Sequence, residues 1–215
     1  HAPENTLASF SKALELGADG VELDVRLCRS GELVVIHDRR LERTTNGRGA
    51  VEEMTLRELK KLEAGQGERI PTLEEVLDLI DNRALVDIEL KGPGTAEGAA
   101  EVVRRRLEGK GWNVGHFLIS SFDHHELLRF HHLLPQVPFG PLLAAKPLDY
   151  ARLAQDMGSE IILPFFEFLD QDFVRDAKAR GLKVITWTVN HPEDIRRMEA
   201  LGVDGMVSNY PERLT

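Results

Sequence analysis

Two acidic side chains alternate with apolar ones in the run Gly20–Val25, a spacing that could hold a metal ion. Side chains of a β-strand point alternately to its two faces, so Glu22 and Asp24 share one face and their apolar neighbours share the other. Two carboxylates held this close repel each other and lose hydration when they are buried. Because a bound cation would offset both costs, the pattern favours a metal site.

A second apolar run, residues 84–91, also carries charge near its end. Glu89 and Lys91 stand two residues apart and therefore share a face. A single acidic residue at a strand end is usually solvated or ion-paired. Three carboxylates and a lysine at matching strand ends are not explained in that way, so we expect Glu89 to join Glu22 and Asp24 in one site.

A histidine supplies the titratable group that such a site needs. His37 ends a third apolar run, residues 33–37, and is followed by Asp38. Imidazole titrates near neutral pH, so we predict that His37 acts as a general acid or base. The three carboxylates offer hard oxygen ligands, which suit Mg²⁺ or Ca²⁺ better than zinc. Together these residues predict metal-assisted acid/base chemistry.

Three further residues could contact a ligand at this site. Trp187 ends an apolar run, where its ring could either pack in the core or stack on a substrate. Phe122 ends the run 118–122 and could line the pocket. Glu4 precedes the first predicted helix, where a carboxylate either caps the helix or positions another residue.

Strands alternate with helices along the chain, and this order must position the candidate residues. Short apolar runs predict strands, and longer amphipathic stretches predict helices, several of them ending in glycine. The predicted strands are residues 20–26, 33–37, 84–90, 116–121, 137–142, 160–163, 183–189 and 203–208. The predicted helices are residues 5–17, 55–64, 72–82, 95–109, 123–134, 147–158, 170–181 and 192–201. Repeated β-then-α order requires parallel strands with right-handed crossovers.

The strand count favours a barrel over an open sheet. The run 33–37 follows the first strand after a short turn and is typical of a hairpin, which leaves seven core strands. We therefore predict an α/β fold of the (β/α)8 TIM-barrel type, its first strand missing from the sequence and its active site at the carboxyl ends of the strands. Residues 38–70 are too long for an ordinary loop and predict a small excursion over the barrel mouth, within a single domain of residues 1–215.

The composition argues against some classes of partner. The chain has 215 residues, 42% of them hydrophobic, which is enough for a large core. Its net charge of −9 argues against binding to nucleic acid or to an anionic membrane. No apolar run approaches the roughly twenty residues that span a bilayer, so we expect no transmembrane segment. With no leader sequence visible, we expect a cytoplasmic protein.

In their order and spacing, several motifs of this chain resemble those of the glycerophosphodiester phosphodiesterase family. They extend over essentially the whole chain, and as an ordered series they are far more specific than any one of them alone. The motifs are Ala2-Pro3-Glu4-Asn5-Thr6, Gly20–Val25, His37-Asp38, Leu41–Gly47, Pro71–Leu77, Glu89-Leu90-Lys91, Ser120-Ser121-Phe122, Trp187–Asn190 and Gly202–Gly205.

The resemblance implies a (β/α)8 barrel that uses a divalent cation to hydrolyse small-molecule glycerophosphodiesters to glycerol 3-phosphate and an alcohol. The metal ligands that it implies are three carboxylates: Glu22, Asp24 and Glu89. It also implies that His37 is one of two acid/base histidines, that Lys91 contacts the phosphate and that Trp187 lies against the glycerol part of the substrate.

One departure from the family concerns the start of the chain. Family members carry a His-Arg-Gly motif shortly before Pro-Glu-Asn-Thr; its histidine is the second acid/base group and its arginine binds phosphate. Here His1 stands next to Ala2, too near the helix to be that histidine, so we expect the natural chain to be longer. Glu4 could then position the absent arginine.

Two other functions stay open on the sequence alone. The same barrel and cation could serve proton abstraction next to a carboxylate, as in enolisation, although such sites usually draw acidic ligands from more than two strands. A barrel that lost catalysis together with its first strand would bind phosphodiesters without cleaving them. Hydrolysis of glycerophosphocholine, with and without a chelator, distinguishes the phosphodiesterase from the enolising enzyme. The residues upstream of His1 distinguish it from the non-catalytic barrel, since a His-Arg-Gly run there favours the enzyme.

Overall fold

The fold is built on a sheet of eight strands. A computed structural model of the protein describes residues 2–109 and 111–214, so His1 lies outside the described residues. The strands are β1 (Gly20–Leu27), β2 (Leu33–Val35), β3 (Leu85–Leu90), β4 (Phe117–Ser121), β5 (Phe139–Leu143), β6 (Ile161–Pro164), β7 (Lys183–Thr186) and β8 (Gly205–Met206). They lie in the order β2-β1-β3-β4-β5-β6-β7-β8.

The strands other than β2 are parallel to their neighbours, as the alternation of strands and helices predicts. β2 pairs antiparallel with the end of β1, with Val25 opposite Val35, which confirms the predicted hairpin. The fold is therefore the predicted α/β barrel type. Parallel strands of such a fold all end at one edge, and that edge is where a ligand binds.

Helices accompany the strands along the chain. They are α1 (Leu7–Glu15), α2 (Leu56–Leu59), α3 (Leu73–Ile80), α4 (Thr95–Glu108), α5 (His124–Leu133), α6 (Arg152–Asp156), α7 (Gln171–Ala179) and α8 (Pro192–Leu201). Several begin after a side chain that accepts hydrogen bonds from the first turn, among them Thr6, Thr72, Asp123 and Asp170. These caps satisfy amide groups that have no partner within the helix.

Two helices are shorter than the sequence pattern predicts. α2 covers only part of the predicted 55–64, because the next backbone hydrogen bonds, from Lys61 to Glu58 and from Leu62 to Leu59, close tighter three-residue turns. α6 covers only part of the predicted 147–158, because Tyr150 just before it has a φ of 50°, which no helix contains. Backbone turns, rather than the polarity of the residues, set these ends.

Apolar side chains of the strands pack against the helices and form the main core. Leu23 and Val25 of β1 are buried there with Phe10 of α1 and Leu77 of α3. Residues 38–70 form the predicted excursion, and their apolar side chains pack in a separate cluster with Val34 of β2. The core therefore occupies the outer face of β1 and leaves its acidic face toward the inside of the barrel.

Three further predictions concern the chain as a whole. Within the described residues, no helix is both long enough and apolar enough to cross a membrane. The cytoplasmic location and the single-domain organisation stay predictions from the sequence.

Candidate active site

Three carboxylates meet at the carboxyl edge of the sheet, as the strand pattern predicts. Glu22 and Asp24 come from β1 and Glu89 from β3, and one oxygen of each lies within 4.8 Å of the others. The strand register explains the meeting, because Asp24 stands directly opposite Glu89 in the parallel β1–β3 ladder. Asp24 and Glu89 are buried, and Glu22 is partly buried.

This donor set suits a divalent cation. Oδ1 of Asp24 and Oε1 of Glu89 are buried, and among the described residues the ammonium of Lys91 lies close to both of them. Burial raises the pKa of Glu89 to about 7. Burial also raises the pKa of Glu22 well above its usual value, and the neighbouring Asp24 adds to this effect. The single positive charge of Lys91 does not balance three carboxylates, so a hard cation would neutralise the remaining negative charge.

Asn5 holds one of these carboxylates in place. Its Nδ2 donates a hydrogen bond of 2.8 Å to Oδ2 of Asp24, and its Oδ1 accepts one of 3.2 Å from the backbone amide of the same residue. Asn5 has a φ of 56°, a left-handed conformation that asparagine tolerates better than most residues. These two hydrogen bonds fix Oδ2 of Asp24 and leave Oδ1 for a cation.

Lys91 lies directly beside the carboxylates. Its ammonium nitrogen is 2.7 Å from Oε1 of Glu89 and 3.3 Å from Oδ1 of Asp24. Burial disfavours the charge on Lys91, but Glu89 and Asp24 together outweigh it and raise the pKa of the ammonium above its usual value. Lys91 therefore carries a permanent positive charge at this site.

His37 faces the same site, and its two ring nitrogens have different partners. Nδ1 is 2.7 Å from Oδ1 of Asp38, and Nε2 is 3.2 Å from the ammonium nitrogen of Lys91. An ionised carboxylate can only accept a hydrogen bond and an ammonium can only donate one. The proton of the neutral ring is therefore on Nδ1, and Nε2 is the free base.

Arg26 ties together the backbones of the two residues that face each other across the site. Its Nε donates to the carbonyl oxygen of His37 and its Nη1 to that of Lys91, each at 2.9 Å. The sequence reasoning passed over this residue. The alternation of side chains along β1 could have found it, since Glu22, Asp24 and Arg26 are two residues apart and therefore share one face of the strand.

Asp87 is a fourth buried carboxylate that the sequence reasoning also missed. It lies opposite Glu22 in the β1–β3 register and two residues before Glu89, so strand parity could have found it. Oδ1 of Asp87 accepts a hydrogen bond of 2.7 Å from the hydroxyl of Ser120. Burial raises the pKa of Asp87 to about 7.

The three carboxylates of the candidate metal site, together with His37, Asp87 and Lys91, line one cavity of about 160 Å³. Phe122 and Trp187 form its apolar wall, with their rings edge to face at 5.3 Å between centroids. The indole N–H of Trp187 donates to the carbonyl of Leu163 at 2.8 Å, which fixes the ring. The ammonium of Lys91 lies 5.7 Å from the centre of the Phe122 ring, so the apolar wall adjoins the charged groups.

Glu4 is the predicted site residue that does not line this cavity. Its two carboxylate oxygens instead accept hydrogen bonds of 2.6 Å and 2.8 Å from the guanidinium of Arg43, in the excursion. The structure therefore brings together seven of the residues predicted for the site, and Glu4 reaches it only through Arg43. The seven are Glu22, Asp24, His37, Glu89, Lys91, Phe122 and Trp187.

Comparison with known proteins gives a consistent result over the whole chain. The model of the glycerophosphoryl diester phosphodiesterase family matches residues 1–213. A glycerophosphodiester phosphodiesterase of Caldanaerobacter subterraneus is 41% identical over 228 residues, covering 100% of this chain and 91% of the relative. A glycerophosphodiester phosphodiesterase of Bacillus subtilis is 35% identical, covering 99% of this chain and 80% of the relative.

A solved structure resembles this chain in both sequence and fold. It is that of an Oleispira antarctica phosphodiesterase in complex with the product sn-glycerol-3-phosphate. It is 33% identical to this chain, has a TM-score of 0.90, and the match covers 99% of this chain and 90% of the relative.

Proposed function

The chain belongs to the glycerophosphoryl diester phosphodiesterase family, and we propose that it hydrolyses glycerophosphodiesters to glycerol 3-phosphate and an alcohol. It is a phosphoric diester hydrolase. The observation that carries the proposal is the convergence on one cavity of three carboxylates, the Lys91 ammonium and the free Nε2 of His37. Glu22, Asp24 and Glu89 would hold the divalent cation, Mg²⁺ or Ca²⁺, which carboxylate oxygens suit.

A phosphodiester is an anion that repels nucleophiles, so the site must offset negative charge. When bound, the divalent cation acts as a Lewis acid on a phosphoryl oxygen. Lys91 adds a second positive charge, and its ammonium group donates hydrogen bonds to the phosphate. Arg26 keeps the Lys91 backbone in place while this occurs.

His37 moves the proton. Because Nδ1 donates its proton to Asp38, Nε2 is the atom that takes a proton from the attacking water or glycerol hydroxyl. As the P–O bond to the alcohol breaks, the protonated Nε2 can return that proton to the departing oxygen. Nε2 also lies beside the Lys91 ammonium, 3.2 Å away, so base and phosphate-binding group face the same point. Proton transfer by a group held in this way typically contributes about 10²–10⁴-fold to a rate.

The apolar wall fits the glycerol end of the substrate. The Oleispira relative binds sn-glycerol-3-phosphate, whose carbon atoms and phosphate need an apolar and a cationic surface side by side. Trp187 and Phe122 offer the apolar surface here, and Lys91 adjoins it. The Phe122 ring is 43% exposed and therefore available to a ligand.

The first test is product analysis on several glycerophosphodiesters, including sn-glycero-3-phosphocholine. The wild-type protein should release glycerol 3-phosphate, EDTA should stop the release, and Mg²⁺ or Ca²⁺ should restore it. The cation that restores it at the lower concentration is the one that the site prefers. Binding of the diester without release of product would instead favour a non-catalytic barrel and would overturn the proposed activity.

Variants of the carboxylates test the metal site. Glu22→Gln and Glu89→Gln should each lower activity by at least about 100-fold, since changes to residues that merely support a metal ligand already cost about 10- to 100-fold. Glu101→Gln is the matched control, because Glu101 lies on α4 with its side chain 65% exposed. Full activity in both carboxylate variants would contradict the assignment of the metal ligands.

A further inference from the structure

We propose that Arg43 is a positioning residue, which fixes Asp38 and through it holds the His37 ring with Nε2 toward the cavity. The four residues Glu4, Arg43, Asp38 and His37 are called the arginine clamp below. The inference rests on the proposed role of His37 in proton transfer.

The first link of the clamp joins Arg43 to Asp38 by two hydrogen bonds. Nε donates to Oδ2 at 2.6 Å, and Nη2 donates to Oδ1 at 2.9 Å. Such a two-pronged pair of a guanidinium with a carboxylate fixes direction as well as distance. The pKa of Asp38 lies well below its usual range, chiefly because of these bonds, so the group stays an acceptor near neutral pH.

The second link prevents Arg43 itself from turning. Glu4 binds its other edge, with Nη2 donating to Oε1 at 2.6 Å and Nη1 to Oε2 at 2.8 Å. The guanidinium is therefore held between two carboxylates from different parts of the chain. Glu4 precedes α1, whereas Arg43 and Asp38 belong to the excursion, so the clamp also docks the excursion against the start of α1.

The third link acts on the His37 ring, whose other polar contact is the one of 3.2 Å between Nε2 and the ammonium of Lys91, the atom pair that faces the cavity. The side chain is 49% exposed, so packing alone does not fix it. Arg26 holds the carbonyl of His37 but does not restrain the rotation of its ring. The bond of 2.7 Å from Nδ1 to Asp38 does so, and it also selects the tautomer that leaves Nε2 free.

The clamp is poorly suited to a role in stability alone. The Arg43 side chain is 51% exposed and that of Glu4 is 47% exposed. Ion pairs this exposed contribute little to folding. Precise orientation of a proton-transfer group, in contrast, depends on such links, because a displacement of about 1 Å can cost about 100-fold in rate.

Arg43→Gln tests the proposal, with Arg40→Gln as the matched control. Arg40 lies in the same excursion, is 66% exposed and pairs with Glu42 at 2.7 Å, away from His37. With sn-glycero-3-phosphocholine as substrate, Arg43→Gln should lower kcat by about 10- to 100-fold and change KM by less than about threefold. Arg40→Gln should keep the wild-type kcat, and Arg43→Lys should regain only part of the loss, because an ammonium cannot form the fork.

A measurement that needs no turnover separates this proposal from the proposed function. The ¹⁵N chemical shifts of the His37 ring, assigned with a His37→Gln variant, report which nitrogen carries the proton. We expect the Nδ1–H form in the wild type and in Arg40→Gln, and a mixture of tautomers in Arg43→Gln. If the wild type fails to hydrolyse any diester, the proposed function falls and the ring shifts still decide the role of Arg43.

Two results would overturn the role of Arg43. One is a kcat for Arg43→Gln within about twofold of that for Arg40→Gln; the other is an unchanged His37 tautomer in Arg43→Gln, whatever its rate. If Arg43→Gln does not fold, Glu4→Gln replaces it, because it weakens one edge of the clamp and keeps Arg43. It should then give a smaller loss of kcat and the same kind of tautomer change, and no change in either would refute the clamp.

Discussion

Asp24 is the carboxylate of the metal site that a neighbouring side chain holds most specifically. Asn5 uses both atoms of its amide on one residue, the carboxylate and the backbone amide of Asp24. Only the free oxygen of Asp24 then faces Glu89 and Lys91. A ligand held in this way loses little freedom when a cation binds, which should strengthen binding.

We predict that Asn5→Gly weakens binding of Mg²⁺ or Ca²⁺ by about tenfold, since losing a residue that orients a metal ligand typically costs about 10- to 100-fold. Glycine is chosen because it adopts the positive φ of this position without strain. Isothermal titration of the purified protein measures the change. Asn113→Gly, which removes the side chain that caps a short helical turn far along the chain, should leave the affinity unaltered. Equal affinities in the wild type and both variants would show that Asn5 does not hold Asp24 for the cation.

At the level of single residues, the alternation of side chains along a strand was enough to predict part of the site. It found Glu22, Asp24 and Glu89 because alternation alone places them on one face. It would have found Asp87 as well, had the same rule been applied backward along β3 from Glu89. Asn5 gave no such signal, because its contact depends on where a loop docks and not on any periodicity. The same holds for the link between Arg43 and Glu4.

At the level of elements, the strands must approach one another closely enough to bring their ends together. β5 and β6 do so at Gly140, where an added Cβ would overlap a side-chain methyl of Leu163 and lie 3.1 Å from the carbonyl oxygen of Ile161. Leu163 is buried and packs inside the barrel with Leu118 and Leu142. The absence of a side chain at this position thus sets the spacing of two strands below the cavity.

We predict that Gly140→Ala lowers the free energy of unfolding by about 1–3 kcal/mol, as overpacking of a filled core usually does. Urea unfolding at constant pH measures it. Gly205→Ala in β8 is the control, since its nearest neighbour atom would be an ordinary 3.4 Å away, and it should cost less than about half as much. A control that costs as much as Gly140→Ala would show that the contact with Leu163 is not responsible for the loss.

The sequence predicted the elements better than their lengths. Each predicted strand exists, because a short apolar run that lies between amphipathic helices usually forms a buried strand. The ends of the last two strands were wrong by several residues, since β7 stops at Thr186 and β8 covers only Gly205–Met206. Apolar character continues past those points into the wall of the cavity, where Trp187 and Val207 serve the site rather than the sheet.

At the level of the whole molecule, the negative charge of the buried carboxylates, which serves the site, lowers the stability of the folded protein. Burial raises the pKa values of Asp87 and Glu89 to about 7. A carboxyl group with a raised pKa binds its proton more tightly in the folded state, so it favours folding in acid. That contribution is lost as the pH rises through the folded pKa. The metal-free protein should therefore be most stable below the pH at which a hydrolase with a free imidazole base works.

We predict that the free energy of unfolding of the metal-free protein falls as the pH rises from about 5 to about 8, and that Mg²⁺ or Ca²⁺ offsets the fall, because cation and protons compete for the same oxygens. At a hundred times its Kd, the cation should add about 2.7 kcal/mol. Urea unfolding across this range, with and without cation, measures both effects. Asp87→Asn should flatten the fall, whereas Asp78→Asn, 68% exposed on α3, should not. Metal-free stability that rises with pH would contradict the buried-charge account.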